Sequence, residues 1–361
     1  MFKTYVSNVP LSTAHNYYLE YGECRRLHCR SYIRPTVPGE FVWRFWFQNS
    51  VNSTFDAGQV AYVNRSGGNW KILNAQIAAS DTLQPDTFDW VPVSFDGKAG
   101  RDVAPDEMFW SDEVTFCVPK GQYLVWDWEI EGDGIPCTPD SQAPTYIDFG
   151  DGFESVDEVR RPDIFGCPMP DLFGCKRAVK KQFAFLGDSI TQGCQTGLNA
   201  YAMWAGRIIL AKAPEYAGWN LGLGFARGSD AATDGCWLYK AKQNDTVIVC
   251  YGVNDILRGA DAEQVLASLR KIITALQKKN IRVILFNVPP FDMVPELESQ
   301  RCAVNAAIPA LAAEYDIPWF DFSSVLAMPA PQTHIGRYGT HPDGNGGKVT
   351  ADAFLQSGIE L

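Results

Sequence analysis

From about Glu40 to Gly150 the chain reads as short apolar runs broken by clusters of Gly, Pro, Asn and Asp. Phe41–Phe47 (FVWRFWF), Gln59–Val63 (QVAYV), Val114–Val118 (VTFCV) and Tyr123–Ile130 (YLVWDWEI) are the clearest, and no helical periodicity interrupts them. Short strands at regular spacing with turn signals predict an all-β sandwich or jelly roll. In the last run Tyr123, Val125 and Asp127 alternate with Leu124, Trp126 and Trp128, so a period of two gives one consistently apolar face.

The pattern changes after a Gly- and Pro-rich stretch with cysteines, Arg161–Cys175 (RPDIFGCPMPDLFGC), read as a linker, and a basic bridge, Lys176–Lys181. Short buried-type strands follow at Phe183–Leu186, Thr246–Tyr251, Arg282–Asn287 and Trp319–Phe322. Between them lie helical patterns at Ala200–Leu210, Arg301–Tyr315 and near Lys348–Leu355. The most regular carries Val265, Leu266, Leu269, Ile272, Ile273 and Leu276 on one face. Strands alternating with helices predict a parallel sheet covered on both sides. The reading therefore divides the chain into residues 1–178, a β domain with its linker, and residues 179–361, an α/β domain. A length of 361 residues, about twice a typical domain, fits that division.

Charge narrows the function classes. The 31 Lys and Arg against 42 Asp and Glu give a formal net charge of −11. A nucleic-acid binder needs a basic face to neutralise phosphates, and an anionic membrane surface attracts basic segments, so neither partner is expected. No apolar run approaches the roughly 18 residues of a membrane span. The start, MFKTYVSNVPLSTAHNYY, lacks the basic and apolar regions of a secretory signal. The ten cysteines are scattered, and Cys117 and Cys250 sit inside predicted strands, where a thiol packs as a small hydrophobe. Reduced thiols and a cytoplasmic location are the expectation. Cys24 and Cys29 with His28 between them come nearest to a zinc cluster, but no second pair lies close by. His15, His28, His334 and His341 are dispersed as well, and no metal is expected.

Reactive groups in parallel α/β sheets gather at the carboxyl ends of the strands. Four loops there carry chemistry. Gly187-Asp188-Ser189-Ile190 follows the strand FAFL, where a serine at a strand-to-helix turn offers both its hydroxyl and its backbone N–H. Read alone, it is better taken as a helix N-cap. Asn220-Leu221-Gly222-Leu223-Gly224-Phe225-Ala226 is a glycine loop that permits close backbone approach. Tyr251-Gly252-Val253-Asn254-Asp255 presents an asparagine amide, whose plain alternative is a turn residue. Gly339-Thr340-His341-Pro342-Asp343-Gly344 holds a late histidine that in isolation reads as a solvated surface residue.

In this order the four blocks resemble the SGNH (GDSL-type) hydrolase family, over roughly residues 179–361. The resemblance implies a flavodoxin-like three-layer α/β/α fold and ester hydrolysis through an acyl-serine, without metal or organic cofactor. Carried onto this chain, it implies Ser189 as nucleophile and His341 as general base. It implies an oxyanion hole made of the Ser189 N–H, the Gly224 N–H and the Asn254 side chain, with Phe225 the donor after a one-residue shift. Asp188 and Asp255 would organise the loops. The family's last block reads Asp-x-x-His, whereas here Tyr338 stands three residues before His341. A phenol is uncharged near neutral pH and cannot stabilise an imidazolium as a carboxylate does. A backbone carbonyl holding the imidazole, a carboxylate such as Asp321 or Asp343, or an impaired site would each account for it. The first is favoured because carbohydrate esterase family 2 is similar in dispensing with the Asp.

A β-jelly-roll ahead of an SGNH domain is also similar to the layout of that carbohydrate esterase family. Ser111-Asp112-Glu113-Val114 followed by Pro119-Lys120-Gly121-Gln122-Tyr123-Leu124 resembles a strand pair of such N-terminal domains. Trp43, Trp46, Trp70, Trp90, Trp110, Trp126 and Trp128 lie there too, and most are expected to fill the core. The resemblance thus implies an esterase removing acetyl groups from sugars or oligosaccharides. The alternatives are a short-chain lipase, thioesterase or arylesterase of the same fold, or a carbohydrate-binding protein on a decayed hydrolase scaffold.

Overall fold

The structure is a computed structural model that describes residues 1–20, 22–53, 63–83, 87–138, 143–148, 154–156, 168–196 and 201–361. The predicted run Gln59–Val63 except for Val63, the linker residues 161–167 and Ala200 lie outside the described residues. Up to Lys176 the strands pair antiparallel, in two main sheets. One is built on Gly39–Gln48, flanked by Leu172–Lys176 on one side and by Met108–Trp110 and Val114–Val118 on the other. The other centres on Tyr123–Gly132 between Arg25–Ile33 and Trp70–Ser80. Alternate residues of both sheets meet in one core that contains Trp43, Phe45 and Phe47 from the first and Leu27, Ile77, Trp126 and Trp128 from the second. This is the arrangement of a β-sandwich. Trp43, Trp46, Trp70, Trp126 and Trp128 are buried, while Trp90 and Trp110 are half-buried.

One face of Tyr123–Gly132 is apolar as the alternation predicts, with Leu124, Trp126, Trp128 and Ile130 in the shared core. The opposite face is covered as well: Asp127 is fully buried there, accepting hydrogen bonds from Arg30 Nε (2.7 Å) and Gln76 Nε2 (2.9 Å) and lying 3.0 Å from His28 Nε2. A polar residue can be buried when its hydrogen-bonding capacity is met. One expectation needs correction. Cys117, expected to pack inward, is exposed, because its strand lies at a sheet edge with alternate residues facing outward.

From Lys181 onward the strands pair in parallel. Numbered along the chain, Lys181–Gly187, Tyr216–Gly222, Thr246–Cys250, Arg282–Phe286 and Trp319–Phe320 take the spatial order 2-1-3-4-5, the flavodoxin-like order. The strand Tyr216–Gly222 went unread in the sequence, because Gly218 and Gly222 interrupt its apolar pattern. Phe322, predicted as strand, instead opens the short helix Phe322–Leu326. The amphipathic helix spans Ala262–Gln277 and buries Val265, Leu269, Ile272, Ile273 and Leu276. It packs on the helix Pro295–Glu314, while Trp204–Lys212 packs on Gly344–Gln356. The buried central strands fit a sheet with helices on both faces.

The β-rich half and the α/β half are bound through a buried polar seam. Ser12 bridges alongside Asn220, and its hydroxyl donates to Gly222 O (2.5 Å). Trp219 Nε1 donates to Thr13 Oγ1 (3.1 Å), and Lys240 pairs with Asp171 with both side chains buried. No helix among the described residues is long and apolar enough to cross a membrane.

Candidate active site

The site begins where the first parallel strand ends. A Cβ on Gly187 would lie 2.1 Å from Thr191 Oγ1 and 2.8 Å from Cys250 O, so only glycine allows the turn to close this tightly. Asp188 then caps the helix Ser189–Gln192, its carboxylate accepting from Ile190 N at 3.0 Å. That frees Ser189, the first helical residue, from the capping task. Ser189 is largely buried, only 8% exposed.

His341 arrives from the far end of the chain. Its loop precedes the helix Gly344–Gln356, which Asp343 caps by accepting from Asn345 N and Gly346 N, both at 2.9 Å. The edge of the Phe291 ring lies against the half-buried imidazole, with centroids 5.2 Å apart and planes at 79°. Ser189 Oγ stands 2.8 Å from His341 Nε2, across 152 residues of sequence. A hydroxyl within hydrogen-bond reach of an imidazole is the geometry that proton abstraction requires.

The glycine loop lies beside this pair and is tied down at both ends. Leu223 N donates to Gly187 O (3.0 Å), Ala226 N closes a turn onto Leu223 O (3.2 Å), and Asn254 Nδ2 donates to Ala226 O (3.0 Å). Gly224 is buried within that turn. Asn254 lies in the short helix Val253–Leu257 after the third parallel strand and is 8% exposed. Ser189, Gly224 and Asn254 are thereby brought onto one linked set of loops at the carboxyl end of the sheet.

The supporting carboxylates are buried. Asp255 accepts from Gly228 N (2.8 Å) and Ser229 N (3.1 Å), which fixes the segment after the glycine loop. Burial raises its pKa despite those donors. Burial also pushes Asp188 up to about 7, with the neighbouring Asp255 adding to the rise against the Ile190 N–H. Tyr338 is half-buried, its carbonyl accepting from Asp343 N (3.2 Å). Asp321 accepts from Asn287 Nδ2 (2.8 Å) and caps the helix at Ser324 N (3.1 Å), so it and Asp343 both serve as helix caps.

The four histidines occupy separate places, His15 beside Asp171 and His28 beside Asp127. Among the described residues no group of three His, Cys, Asp or Glu is placed to hold a metal ion. No local pattern along the chain signals that the β-rich half reaches the site. Asn16 Nδ2 donates to Gly224 O (3.3 Å), and Gln192 Nε2 donates to Thr138 Oγ1 (3.2 Å). Such contacts join residues far apart along the chain and leave no periodic signal.

Residues 185–349 match the model of the GDSL-like Lipase/Acylhydrolase family. Solved structures similar to this chain include a lipolytic protein of the G-D-S-L family from Veillonella parvula. It is 22% identical, with a TM-score of 0.42, over 50% of this chain and 99% of that one. An acetyl-xylooligosaccharide esterase from Geobacillus Stearmophilus, solved as a mutant, is 19% identical, with a TM-score of 0.41, over 51% and 97%. A psychrotrophic esterase from Pseudoalteromonas is 16% identical, with a TM-score of 0.39, over 49% and 95%. No curated protein matches the chain.

Proposed function

Because residues 185–349 form a domain of the GDSL-like lipase/acylhydrolase family, we propose that this protein is a serine esterase that removes acetyl groups from sugars or oligosaccharides. The observation that carries the reading is the 2.8 Å contact between Ser189 Oγ and His341 Nε2. In the first step His341 takes the hydroxyl proton at Nε2 as Ser189 Oγ bonds to the ester carbonyl carbon. The negative charge that develops on the carbonyl oxygen is received by the Ser189 N–H, by the Gly224 N–H or, after a one-residue shift, the Phe225 N–H, and by Asn254 Nδ2. Collapse of the tetrahedral intermediate breaks the bond to the alcohol oxygen, which takes the proton from His341. Water, deprotonated by the same imidazole, then attacks the acyl-serine and releases acetate. No step calls on a metal or organic cofactor.

The preference for a carbohydrate ester draws on the position of the β-rich half, read as a jelly-roll accessory domain. Thr138 of that half meets Gln192, three residues after Ser189 on the same short helix. A second domain this near the nucleophile suits a substrate that extends beyond its acyl group.

Hydrolysis of p-nitrophenyl acetate by the wild type and by Ser189→Ala tests the chemistry. Activity lost in the variant supports the esterase, and equal rates in both would leave only a carbohydrate-binding role. A panel of acetylated oligosaccharides and longer acyl esters tests the substrate. A small acyl pocket penalises each added methylene by on the order of 1–3 kcal/mol. Preference for chains beyond about four carbons would therefore point to a lipase or thioesterase.

A further inference from the structure

The turn Leu223–Ala226 holds an uncomfortable residue. Ala226 N donates to Leu223 O (3.2 Å), and Phe225, in the third position, has φ +62°. This is the pattern of a type II turn, which requires positive φ at that position and ordinarily places Gly or Asn there. A bulky aromatic residue with positive φ is uncommon, because Cβ crowds the backbone. Phe225 is one of the exposed large apolar side chains, with 36% of its surface open to solvent. Left to itself, the Gly224–Phe225 peptide would relax by rotating as a unit, giving Phe225 a negative φ and turning its carbonyl to the other face of the loop.

An anchor from the β-rich half opposes that rotation. Gly224 O accepts from Asn16 Nδ2 (3.3 Å), and Asn16 is fully buried. Its own backbone is fixed, with Asn16 N donating to Cys137 O (3.2 Å) at the end of the strand Ile135–Cys137. Nearby, Ser12 Oγ donates to Gly222 O, so the same N-terminal segment grips the loop at two carbonyls. In a planar trans peptide the N–H points opposite to the C=O. With the Gly224 carbonyl held toward Asn16, the Phe225 N–H at the other end of that peptide, the donor after the one-residue shift, is kept on the opposite face. A rotated peptide would present a carbonyl oxygen on that face instead, which repels an oxyanion.

We propose that Asn16 is a positioning residue for the reaction: it holds the Gly224–Phe225 peptide in its strained orientation and so keeps the oxyanion loop in its donor arrangement. The β-rich half is then part of the catalytic unit. This inference rests on the reading of the glycine loop as an oxyanion loop, with the Phe225 N–H as its donor.

The test combines kinetics with a direct view of the peptide. Asn16→Ala is expected to lower kcat for p-nitrophenyl acetate roughly 10- to 100-fold, as small misplacements of a catalytic geometry do, with KM changed less than about twofold. Phe225→Gly placed on top of Asn16→Ala is expected to restore at least about fivefold of that loss, because glycine takes positive φ without strain. A merely destabilised or misfolded Asn16→Ala would not be rescued by a second change on the loop. Wild-type kcat in Asn16→Ala, or a loss that Phe225→Gly does not relieve, would overturn the role of Asn16 while leaving Ser189 chemistry intact. The crystal structure of Asn16→Ala reads the same claim without activity. A rotated or disordered Gly224–Phe225 peptide supports it, and an unchanged one overturns it. Failure of the esterase reading would show separately, as a wild type no faster than Ser189→Ala.

Discussion

Lys240 and Asp171 form an ion pair sealed from solvent, neither side chain exposing more than 1% of its surface. The lysine belongs to the helix Cys236–Ala241 of the α/β half, and the aspartate directly precedes the strand Leu172–Lys176 of the β-rich half. Gln48 N also donates to Asp171 (2.8 Å), and the Lys240 ammonium lies 5.8 Å from the Trp46 ring. Removing one partner of a buried pair strands the other charge, at about 3–5 kcal/mol. Lys240→Met is therefore expected to lower the unfolding free energy by about that amount. Urea denaturation measures it, and a change below about 1 kcal/mol would mean that Asp171 finds water or another donor.

The amide of Asn254 ties Ala226 O, and the proposed mechanism gives it a second task, facing the developing oxyanion. Loss of one oxyanion donor typically costs about 10²–10³ in turnover. Asn254→Ala is expected to fall in that range with KM little changed, measured by steady-state hydrolysis of an acetate ester. A variant with near-normal kcat would remove Asn254 from the hole.

Tyr338 stands where the family that this chain resembles has an aspartate, so no carboxylate is offered from that position. If a backbone carbonyl holds the imidazole, Tyr338→Phe should keep most of the wild-type kcat. A variant as slow as His341→Ala would give the phenol hydroxyl a direct part in orienting the base.

Asp188 gives the pH dependence a definite sign. Burial raises its pKa from 3.8 to about 7, so between those values the folded state holds a proton that the unfolded chain has released. Stability falls with pH wherever the folded state binds more protons. The contribution of Asp188 is thus fully present below about pH 4 and is lost as pH rises through about 7. Burial shifts Asp255 in the same direction. Asp188→Asn retains a capping oxygen for Ile190 N without the titrating proton. Its urea midpoint should therefore decline less than that of the wild type between pH 4 and 8. Parallel declines would place the titration on another group.

Much of this architecture could be read along the chain. The runs Val114–Val118 and Tyr123–Ile130 and the helix carrying Val265 to Leu276 follow periods of two and 3.6, which are properties of neighbouring residues. Tyr216–Gly222 escaped because its glycines break that rhythm; its identity as a strand depends on Lys181–Gly187 lying alongside. The burial of Asp127 depends likewise on Arg30 and Gln76 from other strands.

The four loop blocks pointed to Ser189, Gly224, Asn254 and His341 through their resemblance to a known family, a likeness carried by the order of residues along the chain. Local order, however, says nothing about distance through space. Folding alone decided that Nε2 of residue 341 meets Oγ of residue 189, that Asp321 and Asp343 serve as helix caps, and that Asn16 crosses from the other half to hold Gly224. Periodicity is written between neighbours in the chain, whereas a catalytic contact is fixed by the packing that brings remote segments together.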